Sequence, residues 1–220
     1  MFFYIFSGCD CNLSGTCLEQ VEQPEQCDCA PSYSDTNCDM CDYGWLLQDD
    51  GTCRVGIELF NPYVESGKVV ATLATMGENY IVKANVTINS YLDSWNNVFQ
   101  IGDGGNHANK DGTIYSRYPY LGINSEDFVF VLGGANNNGH IRKRDIVLGQ
   151  KYQIEITQLY DSVSNAFKYE VKVDDEIIRS GNANPDVVEN AVVYLSTDFQ
   201  YGSAADATVE WLYVETWTQP

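Results

Sequence analysis

Eight cysteines (Cys9, Cys11, Cys17, Cys27, Cys29, Cys38, Cys41 and Cys53) open a chain of 220 residues, and none follows. Thiols at this density either ligate a metal or cross-link. Cys38-Asp39-Met40-Cys41 has the C-x-x-C spacing of a zinc site, but it is the only such pair. Both histidines, His107 and His140, lie far downstream, so a zinc site lacks partners. An even number of cysteines in a stretch too short for a large apolar core reads instead as a disulfide framework. Such a framework implies an oxidising compartment, secreted or at the outside of a cell. Spacing alone leaves on the order of a hundred pairings open.

Other chemistry is sparse. His107 and His140 sit in Gly/Asn-rich runs, without the context of a Ser-His-Asp or Cys-His site. Gly102-Asp103-Gly104-Gly105 lacks the Gly-Lys-Ser/Thr of a phosphate loop. Asp174-Asp175-Glu176 is a cluster of acids, but these residue types also make tight turns. The chain therefore reads as non-catalytic and without a cofactor. One ion suits it. The run 103–112 supplies Asp103, Asn106 and Asp111, oxygen donors of the kind calcium takes six to eight of. Asn12-Leu13-Ser14 and Asn85-Val86-Thr87 are N-glycosylation sequons, with Asn12 and Asn85 as acceptors.

The formal charge is −19, from 12 basic and 31 acidic residues. Phosphate affinity comes from clustered Lys and Arg, so nucleic acid is not an expected partner. An anionic membrane surface would repel the chain, and no apolar run has the length of a membrane span.

These residues must be positioned by strands. Tyr80–Ile88 alternates, with Tyr80, Val82, Ala84, Val86 and Ile88 on one side and Lys83, Asn85 and Thr87 on the other. Tyr169, Val171 and Val173 alternate with Lys168, Glu170 and Lys172 in the same way, and Asp174-Asp175 predicts a hairpin turn into Glu176–Arg179. About a dozen such runs follow Lys68, among them Thr113–Tyr118, Leu121–Ile123, His140–Val147 and Ala207–Trp217. Without helical periodicity they predict two packed antiparallel sheets. The fold class is all-β: a small disulfide-rich module plus an antiparallel β-sandwich. The loss of cysteines after Cys53 and the junction Phe60-Asn61-Pro62-Tyr63 divide the chain into an apolar start (1–7), a cysteine-rich module (8–57) and a sandwich (58–220).

Two resemblances sharpen this. Cys9-x-Cys11, Gly15-Thr16-Cys17, Cys27-x-Cys29, Cys38-x-x-Cys41, Gly44-Trp45 and Gly51-Thr52-Cys53 resemble the laminin-type EGF-like module over residues 8–54. The resemblance implies the pairs Cys9–Cys17, Cys11–Cys27, Cys29–Cys38 and Cys41–Cys53. The family has a glycine between its fifth and sixth cysteines, whereas Tyr33-Ser34-Asp35-Thr36-Asn37 stands here. Downstream, Trp95–Gly102, Arg117–Ile123 and Leu148–Ile156 resemble in their order the concanavalin A-like, laminin-G-like jelly roll over residues 58–218. That resemblance implies a jelly roll and, at one rim, calcium. Glycosidases on such a fold carry E-x-D-x-x-E along a strand, and this chain has no such run.

Two further segments point to assembly. Phe2, Phe3, Tyr4, Ile5 and Phe6 would make a poor free tail and suit a strand donated to a neighbouring copy. Arg142, Lys143 and Arg144 form a basic cluster in an acidic chain, while residues 1–57 hold ten acids and one base. The expected function is that of an extracellular structural or adhesive protein assembling into a matrix, coat or surface filament, with itself or other extracellular proteins as partners. The alternative is a lectin-like module that binds glycans, for which Tyr115, Tyr118, Tyr120 and Tyr201 are candidate contacts.

Overall fold

A computed structural model describes residues 15–18, 26–29, 33–34, 40–41, 45–47, 53–62, 68–91, 95–102, 117–132, 141–143, 145–183, 185, 187–195 and 203–218. Among them every regular element is a β-strand, and none is a helix that could cross a membrane. The chain forms two compact units, Met1–Arg54 and Val55–Pro220.

The first unit contains β1 (Gly15–Leu18), β2 (Gln26–Cys29), β3 (Tyr33–Ser34), β4 (Met40–Cys41) and β5 (Trp45–Leu47). β1 pairs antiparallel with β2, and β3 with β4. Cys41 is bonded to Cys53. The other implied pairs, Cys9–Cys17, Cys11–Cys27 and Cys29–Cys38, lie outside the described side chains.

The second unit is a sandwich of two sheets. Its strands are β6 (Cys53–Phe60), β7 (Lys68–Met76), β8 (Asn79–Ile88), β9 (Trp95–Gly102), β10 (Arg117–Asn124), β11 (Asp127–Val131) and β12 (Ile141–Lys143). β13 (Lys151–Asp161), β14 (Ala166–Val173), β15 (Glu176–Asn182), β16 (Val188–Leu195), β17 (Ser203–Ala204) and β18 (Ala207–Trp217) complete it. The first sheet runs β12-β11-β10-β9-β16-β7, and the second runs β15-β14-β13-β8-β18-β6. All these neighbours are antiparallel. The two-residue β17 adds a parallel bridge to β9.

The alternating patterns are what bury these strands. Tyr80, Val82, Ala84, Val86 and Ile88 of β8 are fully buried, opposite Phe99, Ile101, Leu121, Phe128 and Phe130 from the first sheet. Burying each such side chain contributes about 1.5–3 kcal/mol. Phe128 and Tyr152 meet edge to face, with ring centroids 5.1 Å apart.

Two strands depart from the sequence expectation. The expected runs Thr113–Tyr118 and Leu121–Ile123 leave Pro119-Tyr120 between them, yet β10 continues through both, while residues 113–116 lie outside the described residues. A register shift between Arg117 and Tyr120 places the proline at an irregularity, where the ladder does not need its missing N–H. The run His140–Val147 yields only the short β12, because Asp145 has φ +60° and turns the chain out of the strand. The Asp174-Asp175 hairpin is as expected: both residues have positive φ, 50° and 64°, as a two-residue hairpin loop of this hand requires. Asp174 Oδ1 also accepts the Gln153 N–H at 2.8 Å, tying the turn to the neighbouring strand.

Gly77 lies in the turn between β7 and β8, and its N–H donates to Thr216 Oγ1 at 2.6 Å. A Cβ there would come within 2.5 Å of the Trp217 carbonyl. Backbone in a paired strand cannot yield cheaply, so Gly77→Ala is expected to destabilise the sandwich by about 1–3 kcal/mol. Urea denaturation checks this as a lower midpoint at unchanged slope.

Candidate functional site

β18 is central to its sheet, paired with β8 on one side and β6 on the other. Val209, Leu212 and Val214 face the core. Their spacing is three and then two, so strict alternation fails between them. A bulge resolves the conflict: Val209 lies opposite Val86, but Trp211 already lies opposite Asn85. The extra residue shifts the phase of the strand. Without it, Trp211 would alternate with Val209 onto the core side. With it, Trp211 and Tyr213 point away from the core, across the outer face of the sheet.

That face is ordered by register. Gln153, Asn85, Trp211 and Phe60 are successive cross-strand partners on β13, β8, β18 and β6. The row spans about 14 Å at normal strand spacing. Beside it runs a second row, Lys172, Glu155, Lys83, Tyr213 and Glu58. The first row carries two amides and two aromatic rings, and the second is mainly charged. Trp211 is half-buried, and Phe60 is 70% exposed. A polar groove of about 280 Å³ opens here, lined by Lys83, Asn85, Gln153, Glu155, Lys172, Asp175 and Trp211 together with the backbone neighbours Ala84 and Ile154.

The aromatic rings are fixed from behind. Trp211 Nε1 donates to Glu58 Oε1 at 2.7 Å, and the Tyr213 hydroxyl donates to Glu215 Oε2 at 2.9 Å. The two rings lie 6.0 Å apart, tilted by 31°. The charges are fixed as well. Glu155 takes Lys83 Nζ at 3.2 Å and Lys172 Nζ at 3.1 Å, and Lys172 also reaches Glu170 at 2.7 Å. Partial burial pushes the Glu155 carboxyl up, but hydrogen bonds from Lys172 and Lys83 outweigh it and hold the group below the ordinary glutamate value. Hydrogen bonds to Glu170 and Glu155 hold the Lys172 ammonium above its ordinary value.

The residues expected from sequence fall elsewhere. Asn85 is the exception: it faces outward as its alternation implies, and it lines the groove. Asn12, the calcium candidates Asp103, Asn106 and Asp111, and Phe2, Phe3, Tyr4, Ile5 and Phe6 lie outside the described residues. Among the described residues no group of three His, Cys, Asp or Glu could hold a metal. Arg142 pairs with Asp127 at 3.2 Å and lies over the Trp95 ring, and Lys143 pairs with Glu176 at 2.8 Å. Arg144 lies outside the described residues. Both described cations thus meet acids of their own chain, on a strand that ends its sheet, where such charges discourage further strand pairing. Tyr120 is only 2% exposed and offers no contact surface. Tyr115 and Tyr201, and the side chain of Tyr118, lie outside the described residues.

No family model matches the chain, and no curated protein matches it in sequence. Solved structures are similar to it in fold. A Trypanosoma rangeli sialidase, in complex with sialic acid, is 12% identical at a TM-score of 0.47, over 80% of this chain and 29% of that one. The chain therefore spans less than a third of the sialidase. Sheep galectin-11, in complex with glycerol, is 15% identical at 0.38, over 71% and 98%. A heptameric SAP-like pentraxin from Limulus polyphemus is 13% identical at 0.45, over 73% and 77%. These are likenesses of fold. They nevertheless correct one expectation: a sialidase is an enzyme, so the lack of a linear catalytic motif is no ground for calling this chain non-catalytic.

The Glu155 linkage has a sign. A carboxyl held low in the folded chain stabilises fully above its unfolded value, about 4.3, and loses that contribution as pH falls through the lower folded value. The stability difference between the native chain and Glu155→Gln is expected to be constant from pH 7 to about pH 5 and to shrink below about pH 4.3. Denaturation midpoints across that range check it.

Proposed function

We propose that this chain is a carbohydrate-binding module of lectin type, and that its site is the outer face of the β13-β8-β18-β6 sheet. The observation that carries this reading is the row Gln153-Asn85-Trp211-Phe60 beside a polar groove. A sugar ring has one apolar C–H face and a rim of hydroxyls. It therefore needs an exposed aromatic surface next to planar groups that both donate and accept. Trp211 and Phe60 supply the first, and the amides of Asn85 and Gln153 supply the second. The bond to Glu58 keeps the indole from having to be ordered on binding, which lowers the cost of association.

The charge arrangement favours an uncharged glycan. Lys83 and Lys172 share one carboxylate, Glu155, so an acidic sugar would have to displace a carboxylate already in place. The charge of −19 opposes anionic ligands further. We place the chain outside the cell, a reading supported by the Cys41–Cys53 bond. Assembly into a matrix or filament gains no comparable support. Arg142 and Lys143 are paired within their own chain, and the apolar start lies outside the described residues.

The test is a glycan array probed with the full chain and with Trp211→Ala. Saturable binding to neutral glycans is expected, and Trp211→Ala is expected to weaken it by about 2 kcal/mol, roughly thirtyfold. Thr72→Ala, on an exposed position of the other sheet, should bind like the native chain. Binding that is indifferent to Trp211 would overturn the site.

A further inference from the structure

The acceptor of one sequon lies in the groove itself. Asn85 lies directly opposite Trp211, and Thr87, the third residue of Asn85-Val86-Thr87, stands on the same face one step along β8. Partners in an antiparallel pair have Cβ atoms about 4.5–5.5 Å apart. A sugar bonded to Asn85 Nδ2 therefore starts within one ring's width of the indole. We propose that N-glycosylation of Asn85 closes this site: the first sugar of the attached glycan seats in the groove against Trp211 and excludes a free ligand. The proposal rests on the reading of this face as a glycan site and adds its regulation.

The modification is a group transfer with a donor of defined class, a lipid-pyrophosphate-linked oligosaccharide. Asn85 Nδ2 attacks the anomeric carbon of the first sugar, and a C–N bond forms. The bond from that carbon to the pyrophosphate oxygen breaks, the lipid pyrophosphate leaves with its electron pair, and the amide nitrogen gives up one proton. Nothing is oxidised or reduced. Only Asn85 and Thr87 are required in this chain, and the groove plays no part in the transfer.

The seating follows from the same features that suit a free sugar. The glycan's apolar face meets Trp211, while Gln153 and Lys83 flank it on the neighbouring positions. The tether is a single asparagine side chain, and a ligand on a short tether acts at an effective concentration on the order of millimolar. A free glycan of ordinary lectin affinity cannot displace it readily. Asn85 also loses its free amide, which the ligand would otherwise use.

The two roles separate cleanly by mutation. Thr87→Ala destroys the sequon and leaves the Asn85 amide in the groove, because Thr87 does not line it. The experiment secretes the full chain and Thr87→Ala from eukaryotic cells. It locates glycans by mass spectrometry and measures binding to the neutral glycans of the array. The secreted native chain is expected to carry a glycan at Asn85 and to bind at least about tenfold more weakly than Thr87→Ala. A bare Asn85 in the native chain, or a glycosylated chain that binds as tightly as Thr87→Ala, would overturn the proposal. If Thr87→Ala binds no glycan, the lectin reading falls, and indole fluorescence decides the seating by itself. A difference in emission between the two chains that disappears in the Trp211→Phe background means that the attached glycan lies on Trp211. No such difference means that it does not.

Discussion

One extra residue in β18 sets the character of the molecule's open face. The strand must bury Val209, Leu212 and Val214 in the core while pairing on both edges. Regular alternation cannot do this, because the first two positions have opposite parity. The bulge against Val86 and Asn85 absorbs the mismatch locally. Burying Leu212 and Val214 contributes about 1.5–3 kcal/mol each, so the core dictates the phase. Trp211 and Tyr213 follow passively to the outside. Asn61 N–H closes on the Glu210 carbonyl at 2.7 Å, which gives one backbone group of the bulge a partner. Core packing thus generates the aromatic surface as a by-product of register.

The two sheets have unlike outer faces. On the first sheet, Tyr120, Val129 and Gln100 point away from the core and are still at most 7% exposed. On the second, Lys83, Asn85, Gln153, Glu155 and Trp211 alternate with the core and are half-buried or exposed, whereas Asn79 and Glu215 on the same face are buried. Among the described residues, the groove beside Trp211 opens on the second sheet. Its charges are locked in the chain Lys83–Glu155–Lys172–Glu170, so it presents polarity without a free cation from either lysine. A fixed polar floor of this kind needs little rearrangement on binding, whereas a set of mobile lysines would lose rotamer entropy.

Much of the architecture was legible in the residues. The strict alternation of Tyr80–Ile88 predicted both the buried set and the outward Asn85, because β8 is regular throughout. Asp174-Asp175 announced its hairpin, since few residues other than glycine, Asn and Asp accept positive φ. The site was harder to read. Ala207–Trp217 registers as one strand, and the broken spacing of Val209, Leu212 and Val214 was its only sign of a bulge. Taken as unbroken, the run does not show that Trp211 faces out. Phe60 was read as part of a junction, but it ends a paired strand. Tyr120 looked like a sugar contact by composition, yet only the structure shows it to be buried. The sequence shows Arg142 and Lys143 as a basic cluster but not their partners, because Asp127 and Glu176 are distant in sequence and on other strands.

The proposed site is built around the Trp211 indole. Its N–H is bonded to Glu58, and its ring stands beside Asn85 and Gln153. The most direct measurement is a nitrogen–proton NMR titration of unglycosylated chain with a neutral oligosaccharide, following the four tryptophan indole resonances and the Asn and Gln side-chain amides. Saturable shifts confined to Trp211, Asn85 and Gln153, with Trp45, Trp95 and Trp217 unmoved, are expected. A titration that saturates while Trp211 stays still would contradict the assignment of this face as the binding site.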